Sequence, residues 1–156
     1  MFGFGKSKEL DKKLYAPVSG EVIELSSVSD PVFSQKMMGD GFAVNPDAQE
    51  GIYAPVSGEV VMVQGHAFGF KTAAGAEILL HVGIDTVNLE GKPFTSTVKA
   101  GDTVTAGDKI GTVDWAQVEA AGLEKTTMVV VTGGGQDSPL AIDLGQKAAG
   151  EAVATL

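Results

Sequence analysis

The sequence predicts an all-β fold, an antiparallel sandwich or flattened barrel, and two observations support this prediction. Short apolar runs rich in β-branched residues alternate with turns of glycine and aspartate. In addition, the eight residues 15–22, Tyr-Ala-Pro-Val-Ser-Gly-Glu-Val, recur without change at 53–60. An identity of this length indicates an internally duplicated hybrid motif, in which one structural unit occurs twice.

The elements follow from local composition. Each Ala-Pro holds the alanine in extended backbone, and the glycine that ends Ala-Pro-Val-Ser-Gly allows a positive φ in a tight turn. Helical signals are weak, with one turn predicted over 34–38 and another over 116–121. Strands are predicted at 20–25, 41–45, 58–64, 66–71, 77–82, 94–98, 109–113 and 126–132.

One domain is expected over residues 14–132. A flexible N-terminal leader at 1–13 would precede it. The residues from 133 to 156 are rich in glycine, alanine and aspartate, and they predict a C-terminal tail that is partly helical or disordered.

Composition excludes several classes of function. A net charge of −9 argues against nucleic acid as a partner and favours a basic one. The chain has no cysteine, hence no disulfide and no thiolate zinc site.

No apolar run approaches the roughly 18 residues of a membrane span, and the first residues do not form a signal peptide, so a cytoplasmic location is expected. All 11 basic residues are lysines, so no arginine is available to clamp a phosphate.

The only two histidines, His66 and His81, flank what reads as one β-hairpin. A loop of two or four residues near 73–76 would place both imidazoles on one face, because side chains alternate along a strand. Their Cβ atoms would then lie about 4.5–8 Å apart. A loop of three residues would place the rings on opposite faces. The spacing therefore predicts a shared histidine site only for an even loop.

The segments around these histidines resemble the IIA domain of the glucose family of the bacterial phosphoenolpyruvate-dependent sugar phosphotransferase system. The most specific matches are His-Ala-Phe-Gly-Phe from residue 66 and Glu-Ile-Leu-Leu-His-Val-Gly-Ile-Asp-Thr-Val-Asn-Leu-Glu-Gly over 77–91. Residues 32–44 resemble the early active-site loop of the family, and 98–113 its late hairpin. The two Ala-Pro-Val-Ser-Gly segments resemble the turns of the family, and the resemblance extends over 14–132.

The resemblance implies a phosphotransferase component that carries a phosphoryl group on histidine. The small protein HPr would phosphorylate His81, and the group would then pass to a cysteine of a IIB domain and to a sugar entering through a IIC channel. His66 would orient the phosphate. Gln64 stands where the family often has threonine, and its longer amide would replace the hydrogen bond to the first imidazole. Imidazole suits such a carrier because it is largely neutral near pH 7 and is a good nucleophile.

The resemblance also implies a docking surface. Apart from the resemblance, the turn-like Gly-Ile-Asp step at 83–85 predicts backbone N–H groups that help to hold the phosphate. No cofactor or metal is required, although the two imidazoles could bind zinc adventitiously, and a membrane would be approached only through the permease. The residues that match acidic positions beside the site and an apolar rim that docks partners are Asp30, Asp85, Val32, Phe33, Met37 and Met38.

Two other functions remain open at this stage. The turns also resemble those of biotinyl or lipoyl carrier modules, but such a module needs a lysine at a hairpin tip, and Lys36-Met37-Met38 is a poor match. A zinc hydrolase could use His81, Asp85 and His66 as its three protein ligands. The related β-peptidases need a further histidine in a His-x-His pair, which this chain lacks.

Overall fold

The computed structural model describes residues 12–134 and 140–156. Within these residues antiparallel strands make up most of the regular secondary structure, which confirms the all-β prediction. Short 3-10 turns occur at Leu25–Ser27 and Thr86–Leu89. The elements are β1 (Lys13–Tyr15), β2 (Gly20–Glu24), α1 (Pro31–Ser34), β3 (Asp40–Pro46), β4 (Gly51–Tyr53), β5 (Gly58–Gln64), β6 (Ala67–Lys71), β7 (Glu77–Val82), β8 (Phe94–Ser96), β9 (Thr103–Val104), β10 (Lys109–Val113), α2 (Trp115–Ala120), β11 (Thr127–Gly133), β12 (Gly145–Lys147) and β13 (Ala152–Thr155).

Three sheets make up the domain. The largest has eight strands in the order β12-β2-β3-β11-β7-β6-β5-β9. A three-stranded sheet, β4-β10-β8, and a two-stranded sheet, β1-β13, complete the architecture. None of the helices in the described part of the chain is long and apolar enough to cross a membrane.

The large sheet packs apolar side chains on both of its faces. On one face, Ile78, Leu80 and Val82 of β7 join the main core, which the smaller sheets also line. On the other face, Met128 and Val130 of β11 belong to a second cluster, together with residues from α1 and the 3-10 turn before it. Because side chains alternate along β7, His81 faces this second cluster.

The repeated octapeptide forms two equivalent units that bind each other reciprocally. The backbone N–H of Tyr15 donates to the Pro55 carbonyl at 2.8 Å, and that of Tyr53 donates to the Pro17 carbonyl, also at 2.8 Å. A Cβ at Gly20 or Gly58 would collide with a carbonyl of the adjoining strand. These glycines therefore permit close approach of two backbones, whereas the positive φ predicted for Gly58 is not observed.

The C-terminal segment is part of the sheet structure, so the predicted helical or disordered tail is wrong for residues 140–156. Strand β12 pairs with β2, and β13 pairs with β1. This arrangement repeats that of 103–113, where β9 pairs with β5 and β10 with β4. The hydroxyl of Ser57 accepts from the Ala106 N–H, and that of Ser19 accepts from the Ala149 N–H, both at 2.9 Å.

The strand predictions were more accurate for long strands than for short ones. All eight predicted strands are confirmed to within two residues at each end, whereas five strands of two to four residues were missed. Helix α1 begins earlier than predicted, at Pro31, because the Asp30 carboxylate caps its N-terminus. The leader predicted at 1–13 lies largely outside the described residues, but Lys13 already belongs to β1.

Truncating a buried side chain of the last strand tests its contribution to the core. Val153 is buried in the main core, and we expect Val153→Ala to lower the free energy of unfolding by about 2 kcal/mol through lost burial and a residual cavity. Thr155→Ala, at an exposed position of the same strand, should change it by less than about 0.5 kcal/mol. Urea unfolding measures both values, and equal small effects would contradict a core role for β13.

Candidate functional site

The hairpin between the two histidines does not have the predicted register. Strands β6 and β7 pair Ala67 with His81 and Lys71 with Glu77. The backbone N–H of Thr72 also donates to the Ala76 carbonyl at 2.9 Å, which leaves a three-residue loop over 73–75. The expectation of an even loop is therefore wrong.

The two imidazoles nevertheless meet, because His66 is not a strand residue. It lies with Gly65 in the two-residue turn between β5 and β6, where Gln64 pairs with Ala67. Gly65 adopts a φ of 53°, which is favourable for glycine, so the turn frees the side chain of His66 from strand alternation. The ring centroids of His66 and His81 lie 4.8 Å apart at an interplanar angle of 73°.

A hydrogen bond to backbone determines the tautomer of His81. Its Nδ1 lies 2.7 Å from the carbonyl oxygen of Gly83. Because a carbonyl can only accept, Nδ1 carries the proton and the neutral ring has its lone pair on Nε2. The turn that follows β7 allows this contact, since Gly83 has a φ of 83°. His81 thus presents one free nucleophilic nitrogen.

Phe33 packs against His81, with ring centroids 5.1 Å apart. It is buried in the second apolar cluster, so its predicted place on an exposed docking rim is wrong. The apolar neighbours predicted with it are exposed: Val32 by 42%, Met37 by 70% and Met38 by 39%. Helix α1 therefore contributes one buried support for the histidine and one exposed apolar side chain.

The predicted acidic residues lie close enough to act on His81. Asp30 is half-buried, and its Oδ1 accepts from the Val32 N–H at 3.0 Å at the start of α1. Asp85 is exposed and has a left-handed φ of 61°. Burial lowers the pKa of His81, while the Gly83 carbonyl and the negative charges of these two carboxylates oppose that shift.

The second histidine is also held in its neutral form. His66 is only 7% exposed, and burial lowers its pKa below the ordinary value of 6.5. Positive charge on His81 would repel a proton on His66, which lowers its pKa further. Both rings are therefore predominantly uncharged at neutral pH.

Two expected contacts are absent from residues 12–134 and 140–156. The side chain of Gln64 is exposed and makes no hydrogen bond to His66, so the predicted amide–imidazole contact is wrong. The backbone N–H of Ile84, expected to help hold a phosphate, donates instead to the Glu124 carbonyl at 3.0 Å. The Gly83 carbonyl, which sequence reasoning had not singled out, is the backbone group that contacts His81.

The geometry does not favour the alternative functions. Within the described ranges, no group of three histidine, aspartate or glutamate side chains is positioned to hold a metal ion, whereas a hydrolytic zinc site needs three protein ligands. Lys36 follows a helix instead of occupying a hairpin tip, and its Nζ pairs with Asp40 at 3.1 Å. It therefore lacks the position of a biotinyl or lipoyl lysine.

A neutral imidazole with one free nitrogen lies beside a second imidazole on a duplicated all-β domain, an arrangement suited to a protein that carries a phosphoryl group on histidine. Comparison with known proteins agrees. Residues 12–136 match the family model for the phosphoenolpyruvate-dependent sugar phosphotransferase system, EIIA 1. The chain belongs to this family.

Individual relatives support the same assignment. The glucose-specific EIICBA component of Streptococcus pneumoniae is 49% identical over 128 residues, which are 81% of this chain but only 18% of that protein. The glucose-specific EIIA component of Staphylococcus epidermidis is 39% identical over 90% of this chain and 86% of its own length. The solved structure of glucose permease IIA from Mycoplasma capricolum, 41% identical, superposes with a TM-score of 0.85 over 91% of this chain and 93% of that one.

Titration of the two histidines tests this electrostatic description. By proton NMR, both should titrate below the ordinary pKa of 6.5. Because the Asp30 carboxylate raises the pKa of His81, Asp30→Asn should lower it further, whereas Asp143→Asn in the C-terminal segment should leave it unchanged.

Since folding lowers the pKa of both histidines, the free energy of unfolding should decrease as the pH falls below 6.5. A midpoint above 6.5 for His81 would contradict the burial argument.

Proposed function

We propose that His81 Nε2 accepts a phosphoryl group from phosphorylated HPr and passes it to the cysteine of a IIB domain during sugar uptake. The observation that supports this most directly is the hydrogen bond between His81 Nδ1 and the Gly83 carbonyl. It leaves the Nε2 lone pair available for attack, and the phosphorylated ring can keep the same contact.

Each transfer exchanges one bond to phosphorus for another. The Nε2 lone pair attacks the phosphorus of phospho-HPr, a P–N bond forms at His81, and the P–N bond of the donor breaks. In the second step a cysteine thiolate attacks the same phosphorus, and the electrons of the P–N bond return to Nε2. Positioning and charge stabilisation account for most of the catalysis in such transfers.

His66 is suited to stabilise the phosphorylated state. Its ring lies edge-on to that of His81, at 4.8 Å between centroids, so an N–H of His66 can reach a phosphoryl oxygen. The chain has no arginine, so a bidentate guanidinium cannot trap the group. Moderate stabilisation by a neutral imidazole fits a group that must leave again.

Partners would dock on an apolar groove that shares strand β7 with His81. The groove has a volume of about 490 Å³ and is lined in part by Met38, Val61, Met62 and Leu79. Leu79 precedes His81 by two residues on β7, so both side chains lie on one face of the sheet. Asp30 and Asp85 line a separate cleft and act electrostatically on His81. The two surfaces together match a partner that presents both apolar and basic side chains.

The proposal also covers the acceptor domain and the place in the cell where transfer occurs. The relatives named above are glucose-specific, and one carries its A component in the same chain as components C and B. We therefore propose that the acceptor is the IIB domain of a glucose-family permease and that transfer takes place at the cytoplasmic side of the membrane.

Labelling with phosphoenolpyruvate, enzyme I and HPr tests the roles of the histidines. The wild-type chain should gain one acid-labile, base-stable phosphoryl group, and His81→Gln should gain none. His66→Gln should still accept phosphate but pass it to a IIB domain much more slowly, on the order of 100-fold, because a flexible amide replaces the preorganised imidazole N–H.

Intact mass after the reaction counts the phosphoryl groups, and loss of the added mass in His81→Gln assigns the group to His81. A label that persists in His81→Gln would contradict the proposal, as would normal onward transfer by His66→Gln. Circular dichroism of both variants establishes that the sheet remains intact.

The docking surface is tested by adding a positive charge to it. Met38→Lys should raise the KM for phospho-HPr about 10-fold with little change in kcat, because it disrupts an apolar contact and repels a basic partner. Leu144→Lys is the matched control, since Leu144 is also an exposed apolar residue but immediately precedes β12, at the opposite edge of the sheet from the groove. Equal effects of the two substitutions would contradict docking at the groove.

A further inference from the structure

Thr86 is a fully buried polar residue directly behind the turn that follows β7. Its side chain is 0% exposed, and its hydroxyl donates to the Val82 carbonyl at 2.6 Å. A buried hydroxyl needs such a partner, but an apolar residue of the same shape would need none. The threonine at this position is therefore not explained by packing alone.

The contacts of Thr86 converge on the backbone that holds His81. A Cβ added to Gly83 would lie 2.5 Å from Cγ2 and 3.3 Å from Oγ1 of Thr86, so this side chain packs against Gly83 itself. Gly83 in turn supplies the carbonyl that accepts from His81 Nδ1. The Thr86 side chain thus packs against Gly83 in the turn, while its hydroxyl binds the carbonyl of Val82, the residue before Gly83.

The residue that Thr86 binds is also connected to the other histidine. The backbone N–H of Val82 donates to the His66 carbonyl at 2.8 Å, while its carbonyl accepts from Thr86. Val82 is consequently held at both its N–H and its carbonyl, once through His66 and once through Thr86. A change at Thr86 would be transmitted to both imidazoles through this backbone segment.

We propose that Thr86 is a positioning residue for phosphoryl transfer, because its hydroxyl and methyl hold the Val82–Gly83 turn that orients His81 and anchors His66. Thr86 does not touch the reacting atoms. It acts by directing the Gly83 carbonyl at Nδ1 and thereby keeping the lone pair on Nε2. This inference rests on the proposed phosphocarrier function for its kinetic part, whereas its effect on the tautomer is independent of that function.

Two isosteric comparisons isolate the hydroxyl. Thr86→Val keeps the shape of the side chain and removes only the hydroxyl. Thr86→Ser and Thr86→Ala both lack the methyl group, and they differ from each other by the hydroxyl. Thr72→Val is the control, because Thr72 is also buried and its hydroxyl also bonds to backbone, accepting from the Ala76 N–H at 3.0 Å, but at the opposite end of the β6–β7 hairpin from His81. If Thr86→Val does not fold, the serine–alanine pair provides the same comparison.

The first measurement is nitrogen-15 NMR of the imidazoles, which reports the tautomer. The wild type, Thr86→Ser and Thr72→Val should show His81 protonated at Nδ1, whereas Thr86→Val and Thr86→Ala should show a mixture of tautomers. The second is the rate of phosphorylation by phospho-HPr, which should fall on the order of 10-fold in the variants without the hydroxyl. Thr86→Ser should remain within about 3-fold of wild type.

The outcomes separate this inference from the proposed function. If wild type is phosphorylated on His81 and the Thr86 variants without the hydroxyl match Thr72→Val in both tautomer and rate, the positioning role is wrong and the phosphocarrier function stands. If wild type is not phosphorylated at all, the proposed function fails, and the NMR comparison still decides whether Thr86 orients His81.

Discussion

The hydrogen bond from His81 Nδ1 to the Gly83 carbonyl is the contact on which the site depends. It requires β7 to end at Val82 and the chain to turn through a left-handed glycine immediately afterwards. A residue with a Cβ at position 83 would be strained in this conformation and would also collide with Thr86. One backbone turn therefore determines both the direction of the imidazole and the nitrogen that can act as nucleophile.

The two-sided packing of the large sheet supplies the electrostatic environment of that imidazole. The second apolar cluster, with Phe33 of α1, lies on the same face of the sheet as His81, and Phe33 contacts the ring. Burial disfavours the protonated form, and the carboxylates of Asp30 and Asp85 only partly oppose it. The outcome is a neutral ring with a free lone pair, surrounded by negatively charged side chains.

Some short strands were missed because the hairpins that follow the two octapeptide copies in the fold have little sequence in common. The octapeptide repeat is identical in its two copies, so the first pair of units is evident. The hairpins that complete these units share little more than Ala-Gly followed by an acidic residue, at 106–108 and 149–151. Backbone pairing with β1 and β2, together with the hydroxyl of Ser19, places the second hairpin in its equivalent position.

The sequence by itself determined the longer strands, the duplicated turn and the family signature around His81, because these are encoded in local composition and in contiguous residues. Only the tertiary structure decided how the two imidazoles meet. Strand alternation could not predict that contact, since His66 lies in a turn whose backbone is set by Gly65 and the register of two neighbouring strands. It likewise decided that Phe33 is buried beneath the site, because its partners Ala43 and Met128 come from strands distant in sequence from His81 and are brought together only by sheet pairing.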